Sequence, residues 1–262
     1  MRYLAWLAAL AAGALMLIPA VQAESRGVAT LTLPFDSDRP LVAIVDSGIA
    51  RTPELENVLV AEYDTAAFPA RPEFQPVADH GTMVATILTR NARRPIGIVS
   101  FRIDDPAGCP SGSTPPCQGD AAPVVEAIRQ ATALGVSIIN ISLNLKDDPA
   151  IVDAVRDAAA KGIRVVLAAG NDGLSHPGNL GAARAAFPNA VLVGALDGEG
   201  QPWKGTNLPQ SGTPGYLYAW QPGVHVPTML ANGTAVTATG TSFAVPIETA
   251  SLLDTGSTLA AR

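Results

Sequence analysis

Three residues of this 262-residue chain have the types that acyl transfer requires: Asp46, His80 and Ser242. Such a reaction needs an alkoxide-like nucleophile, a neutral imidazole to take its proton and a carboxylate to orient the imidazole. It also needs hydrogen-bond donors aimed at the oxyanion that develops. The chain has three histidines, so candidates for a general base are few. His176 and His225 lie in Pro/Gly-rich stretches and read as ordinary loop residues, whereas His80 opens the apolar segment HGTMVATIL. Asp46 ends the run LVAIVD, and Ser242 sits in GTSFAVP. Taken singly, each has a plainer explanation: a strand-end Asp is commonly a turn residue, and a Ser before a helix is commonly its N-cap. Their order and their placement where strands meet helices make the three more than a coincidence of types.

Those junctions follow from the patterning. Residues 41–46 form a short β-branched run that reads as a buried parallel strand. The segment 80–90 has apolar residues at 83, 84, 87 and 88, one face of a helix. Further strands are predicted over 96–103, 136–143, 163–168 and 190–195. Helices are predicted from 121 to 134, capped by Asp120 and ended by Gly135, and from Asp148-Pro149 to Gly162. A last helix covers 241–253. The alternation predicts an α/β domain with a mostly parallel sheet covered on both faces. In such sheets functional groups collect at the carboxyl ends of the strands.

Composition narrows the function classes. Hydrophobic residues make up 48%, enough for a substantial core. Seventeen basic against 23 acidic residues give a net charge of −6, which disfavours a nucleic-acid partner. Residues 1–23 carry Arg2, an apolar stretch over 3–18, Pro19 and the small-residue site Val21-Gln22-Ala23. That is the pattern of a cleaved signal peptide, and at 1.5 Å per residue the apolar stretch falls short of a ~30 Å hydrocarbon core. An exported protein, periplasmic or secreted, is expected, with no membrane attachment after cleavage. Cys109 and Cys117 flank seven turn-forming residues. In an oxidising compartment they are expected to pair as a disulfide; as metal ligands they would supply half a zinc site at best.

DSG at 46–48, HGT at 80–82 and GTSFAVP at 240–246 resemble the three signature motifs of the subtilisin-like serine peptidases. AAGNDG at 168–173 is similar to the family's oxyanion motif, and IINISL at 138–143, FPNAVLVGALD at 187–197 and QPGV at 221–224 extend the likeness. The resemblance implies a subtilisin-like three-layer fold over 41–262, preceded by a short segment, 24–40. It implies Ser242 as nucleophile, His80 as general base and Asp46 as its orienting carboxylate. Asn171, with the Ser242 amide, would bind the oxyanion. Ser142, Leu143 and Asn144 would line an extended substrate, and Ala168, Ala169 and Gly170 would wall the primary side-chain pocket. The expectation is an exported serine endopeptidase acting on peptides or proteins, monomeric and without cofactor. The alternative is a catalytically silent peptide-binding or inhibitory protein of the same fold.

The chain departs from the family pattern in several places. Asn144-Leu145 stands where the family has two glycines, and side chains there would narrow the pocket against a large aromatic residue. Met83 follows HGT where His is common, a position that packs behind the base. RNARRP at 90–95 is basic where a calcium loop would lie, and Glu54 would lack fellow ligands, so no metal is expected. The segment 24–40 is too short for a pro-domain, and only twenty residues follow Ser242. Folding is therefore expected either unaided or with a separate partner that caps the cleft. Asp104, Asp105 and Asp120, in the 104–120 stretch beside the cleft, could favour basic substrates, although solvated loop charge is the plainer reading.

Overall fold

Period-two alternation along the strands sends successive side chains to opposite sides of the sheet, and this decides which face receives the polar groups. The computed structural model describes residues 39–111, 116–145, 148–210, 212 and 215–255. The expected signal peptide, 1–23, and nearly all of 24–40 lie outside the described residues. Strand β1 (Leu41–Asp46) is flanked by β3 (Gly97–Arg102) and β4 (Ile138–Ile141), with β2 (Leu59–Asp64) beyond β3. On the other side follow β5 (Arg164–Ala168), β6 (Ala190–Leu196) and β7 (Leu217–Pro222), giving the order β2-β3-β1-β4-β5-β6-β7. Every pairing in this seven-stranded sheet is parallel. The fold is the α/β class read from the sequence.

Ala43, Val45, Phe101, Ile139, Ile141, Val165 and Leu167 point to one face and pack with α2 (Ala122–Ala133), α3 (Pro149–Ala160) and α4 (Leu180–Ala185). Val42, Ile44, Ile98, Ile138 and Val166 point to the other, which α1 (His80–Asn91) and α5 (Thr241–Thr255) cover. Asp46 shares the parity of Val42 and Ile44, and Asn140 and Ser142 share that of Ile138. All three therefore belong to the α1/α5 side. The connection from β1 leads toward β2, and that from β4 leads toward β5, so the strand order reverses between β1 and β4. That crevice is where ligands bind in open α/β sheets.

Several elements depart from the sequence reading. β2 contains Glu62, buried and bonded by Ile49 N–H, the Ser100 hydroxyl and Phe74 N–H. The sequence reading missed β7, which opens with the run LYAW, and the hairpin of β8 (Val226–Met229) and β9 (Ala235–Ala238), whose apolar residues are interrupted by polar ones and by Pro227. β4 is shorter than 136–143, because the chain leaves the ladder at Ser142 to form the site. The cap on α3 is as expected, Asp148 accepting from Ala150 N–H at 2.8 Å. On α2 the N-cap is Ala121, and Asp120 instead accepts from Ala122 N–H at 3.1 Å. Cys109 and Cys117 form the expected disulfide.

The approach of α1 to β1 depends on a missing side chain. A Cβ at Gly81 would lie 2.3 Å from the Gly48 carbonyl oxygen and 3.3 Å from the Asp46 Cβ. Backbone cannot rotate aside, so Gly81→Ala is expected to cost at least the ~1–3 kcal/mol of an overpacked core. A lowered urea midpoint reads this out; an unchanged midpoint would mean that α1 can shift freely.

Candidate active site

Asp46 ends β1 almost fully buried, at 1% exposure. Its Oδ1 accepts from Ser47 N–H at 2.7 Å, and both carboxylate oxygens face His80 Nδ1, at 2.8 and 2.9 Å. A carboxylate this buried is tolerable only when paired and hydrogen-bonded, and these contacts supply both. His80 is the first residue of α1. The Ser47 hydroxyl accepts from Gly81 N–H, and Thr82 Oγ1 accepts from Ala50 N–H, so the helix entrance is stitched to the turn after β1. Burial disfavours the imidazolium, but the Asp46 charge and hydrogen bond outweigh it and hold His80 above its ordinary value of 6.5. With Nδ1 held by the carboxylate, Nε2 is the nitrogen left for proton transfer.

The His80 ring lies against the Phe243 ring, with centroids 5.5 Å apart. Ser242, the residue before Phe243, is the second residue of α5 and partly exposed. It therefore stands in the first turn of a helix, where backbone N–H groups lack intrahelical partners and the dipole favours negative charge. Asn171 follows β5 by three residues and is fixed through its oxygen: Oδ1 accepts from Thr241 N–H at 2.8 Å and from Thr241 Oγ1 at 2.9 Å. The same hydroxyl accepts from Gly170 N–H at 3.2 Å. With its oxygen so engaged, the Asn171 amide group is left to donate. Asp46, His80, Ser242 and Asn171 thus gather around the start of α5.

The residues expected to line a substrate continue from two neighbouring strands of the sheet. Ser142, Leu143 and Asn144 continue from β4; Ala168 ends β5, and Ala169 and Gly170 continue from it. Ser142 is buried, its hydroxyl accepting from Asn140 Nδ2 at 3.0 Å, while Asn140 Oδ1 accepts from Thr249 of α5 at 2.9 Å. The sequence reading missed Thr241, Thr249 and Asn179, because a lone Thr or Asn in a turn announces no distant partner. Met83 packs with Ile87, Val226, Ala238 and Phe243. His176 and His225 lie in loops.

The three loop carboxylates are engaged within the protein. Asp104 is buried between Arg102 Nε at 3.0 Å and Arg71 Nη1 at 3.1 Å. Asp105 accepts from Ala107 N–H and Asp120 from Ala122 N–H. Asp104 is thus a buried carboxylate facing two guanidinium groups and not a solvated loop charge.

A family model described as "Subtilase family" matches residues 37–253. No curated protein sequence matches significantly. Three solved structures share the fold. The protease domain of PatA, in a serine-to-alanine mutant, is 23% identical over 86% of each chain, with a TM-score of 0.64. A cold-adapted subtilisin-like serine proteinase is 19% identical over 84% of this chain and 78% of its own, with a TM-score of 0.64. The prenylagaramide maturation protease PagA is 21% identical over the same shares, with a TM-score of 0.60.

The calcium loop that the family resemblance brings into view finds no suitable donor set. Arg90 grips Glu54 with both ends of its fork, Nε to Oε1 at 2.7 Å and Nη2 to Oε2 at 2.9 Å. Among the described residues no group of three His, Cys, Asp or Glu side chains could hold a metal ion. A guanidinium at that carboxylate excludes a dication by charge and by occupancy. Chelation with EDTA is accordingly expected to move the thermal midpoint by less than ~2 °C, the shift produced by about 0.5–1 kcal/mol in a domain of this size. A fall of many degrees would reveal a metal site elsewhere.

Proposed function

The chain belongs to the subtilase family, and on that premise we propose that it is an exported serine endopeptidase cleaving peptide bonds through an acyl-enzyme. Serine peptidase activity is what the family supports. The observation that carries the finer reading is the buried Asp46–His80 pair set against the first turn of α5, which bears Ser242. Export is favoured by the Cys109–Cys117 disulfide, a bond of oxidising compartments. Among the described residues no helix is long and apolar enough to cross a membrane.

In the proposed reaction Ser242 Oγ attacks the scissile carbonyl carbon while His80 Nε2 takes its proton. Asp46 accepts the Nδ1 hydrogen, fixing the tautomer and stabilising the imidazolium. The carbonyl oxygen, now an oxyanion, is met by Asn171 Nδ2–H and Ser242 N–H. When the tetrahedral species collapses, the C–N bond breaks and His80 gives its proton to the leaving amine. Water, deprotonated by His80, then attacks the ester carbon; the C–Oγ bond breaks, His80 returns the proton to Ser242 Oγ, and the acid product leaves. Thr241 serves as a positioning residue, holding the Asn171 carboxamide by its oxygen so that the donor end faces the reacting centre.

The sign of the pH dependence follows from His80. The base must be neutral, so activity rises with pH as the imidazolium loses its proton. Because Asp46 outweighs burial and raises the pKa, the ascending limb lies above the ordinary value of 6.5. The same shift stabilises the fold below the unfolded pKa, and that contribution fades as pH rises through the folded value. A limb centred above 6.5 in kcat/KM for a peptide substrate is the expected result, and a flat profile from pH 5 to 8 would count against His80 as base.

Ser242→Ala and His80→Ala are each expected to lower kcat by on the order of 10⁶-fold, and to similar degrees, because the two act as one unit. Asn171→Ala should lower kcat by about 10²–10³-fold while moving KM little. A change in KM alone would reject the oxyanion role. Failure of a fluorophosphonate probe to label Ser242 in the native protein would favour the silent, peptide-binding alternative.

A further inference from the structure

β4 and β5 are parallel neighbours, with Ile141 opposite Leu167, so Ser142–Asn144 and Ala168–Gly170 continue side by side toward Asn171. A peptide laid along Ser142–Asn144 as an added strand, with its carbonyl oxygen at Asn171, sends the side chain on the acyl side of the scissile bond into the gap between them. That gap is closely bridged. Gly178 N–H donates to the Ala169 carbonyl at 2.6 Å. Asn179 Nδ2 donates to the carbonyls of Leu143 and Ala168, each at 2.8 Å, and its Oδ1 accepts from Leu145 N–H at 2.9 Å. On this floor rests the Asn144 side chain: a Cβ at Gly178 would lie 2.3 Å from Asn144 Oδ1. Asn144, Gly178 and Asn179 also line a cavity of about 310 Å³ whose other walls are mainly apolar, among them Leu145, Ile151, Val152 and Leu180.

We propose that Asn144 shuts the gap between the ends of β4 and β5, so that the protein cleaves after small residues (glycine, alanine or serine). With the Asn144 carboxamide lying against Gly178 beside the Ala169 carbonyl, the gap keeps no depth for a large side chain. This rests on the peptidase reading. The carboxamide cannot simply swing aside into the floor, because Asn179 ties both strand ends and Gly178 ties Ala169. A glycine at 144 removes the barrier.

The test uses two fluorogenic peptides that differ at the residue before the scissile bond, Ala in one and Phe in the other. Each enzyme's active sites are first counted with a fluorophosphonate probe. For the native protein kcat/KM for the Ala peptide is expected to exceed that for the Phe peptide by at least about tenfold. In Asn144→Gly the Phe-to-Ala ratio should rise by at least about tenfold. A native protein that labels and prefers Phe overturns the proposal alone, as does a labelled Asn144→Gly with an unchanged ratio. If Asn144→Gly is not labelled, Asn144→Ala is measured in its place against the same ratio. Absence of labelling in the native protein overturns the peptidase reading and this proposal with it.

Discussion

The pairing of Asp46 with His80 is the interaction on which the rest of the site depends. It joins the centre of the sheet to the first residue of α1 and settles the position of an imidazole against α5. The sheet makes it available by parity alone: Asp46 points to the α1/α5 face because Val42 and Ile44 do. A carboxylate at 1% exposure would be costly without a partner, so the pair also commits α1 to its docking angle. Glycine at 81 lets the helix come close enough.

Around that pair the carboxyl end of the sheet carries a band of buried polar groups, and nearly every one is bonded across elements. Glu62 receives two N–H groups and a hydroxyl; Asn140 links Ser142 to Thr249 of α5; Thr241 links Asn171 and Gly170 to the start of the same helix. Such networks stabilise when complete and penalise when broken, which favours one arrangement of strands and helices over neighbouring ones. The exceptions are few: among the described residues, Thr52 Oγ1 and Arg102 Nη2 are buried without a protein partner. Two of these links end on α5, through Thr241 and Thr249.

The fold class was legible because β-branched runs alternate with helical faces along the chain, and the helix-strand junctions at Asp46, His80 and Ser242 could be read from the same pattern. The second strand was not, because Glu62 stands in its middle and a carboxylate in a strand is sensible only with Ile49, Ser100 and Phe74 around it. The hairpin β8–β9 escaped for a related reason, since Pro227 and its polar residues break the apolar run that marks a buried strand. Of the candidate site, the residues in local motifs were readable. Thr241 as the anchor of Asn171, 70 positions away, and Asn179 as the clasp on Leu143, 36 positions away, were not. A hydrogen bond between distant turns leaves no periodicity to detect.

The Arg90–Glu54 contact has a consequence in terms of mass action. Stabilisation by a bound ion grows with the logarithm of its free concentration and vanishes where the ion is scarce. A cation carried on a side chain has no such dependence, because the chain supplies it at a fixed local concentration. The contribution is modest, on the order of 0.2–1 kcal/mol for a pair partly open to solvent. It is also indifferent to dilution and to competing chelators, and answers instead to ionic strength. The far end of α1 is thus tied to the turn after β1 by a charge that the chain itself supplies.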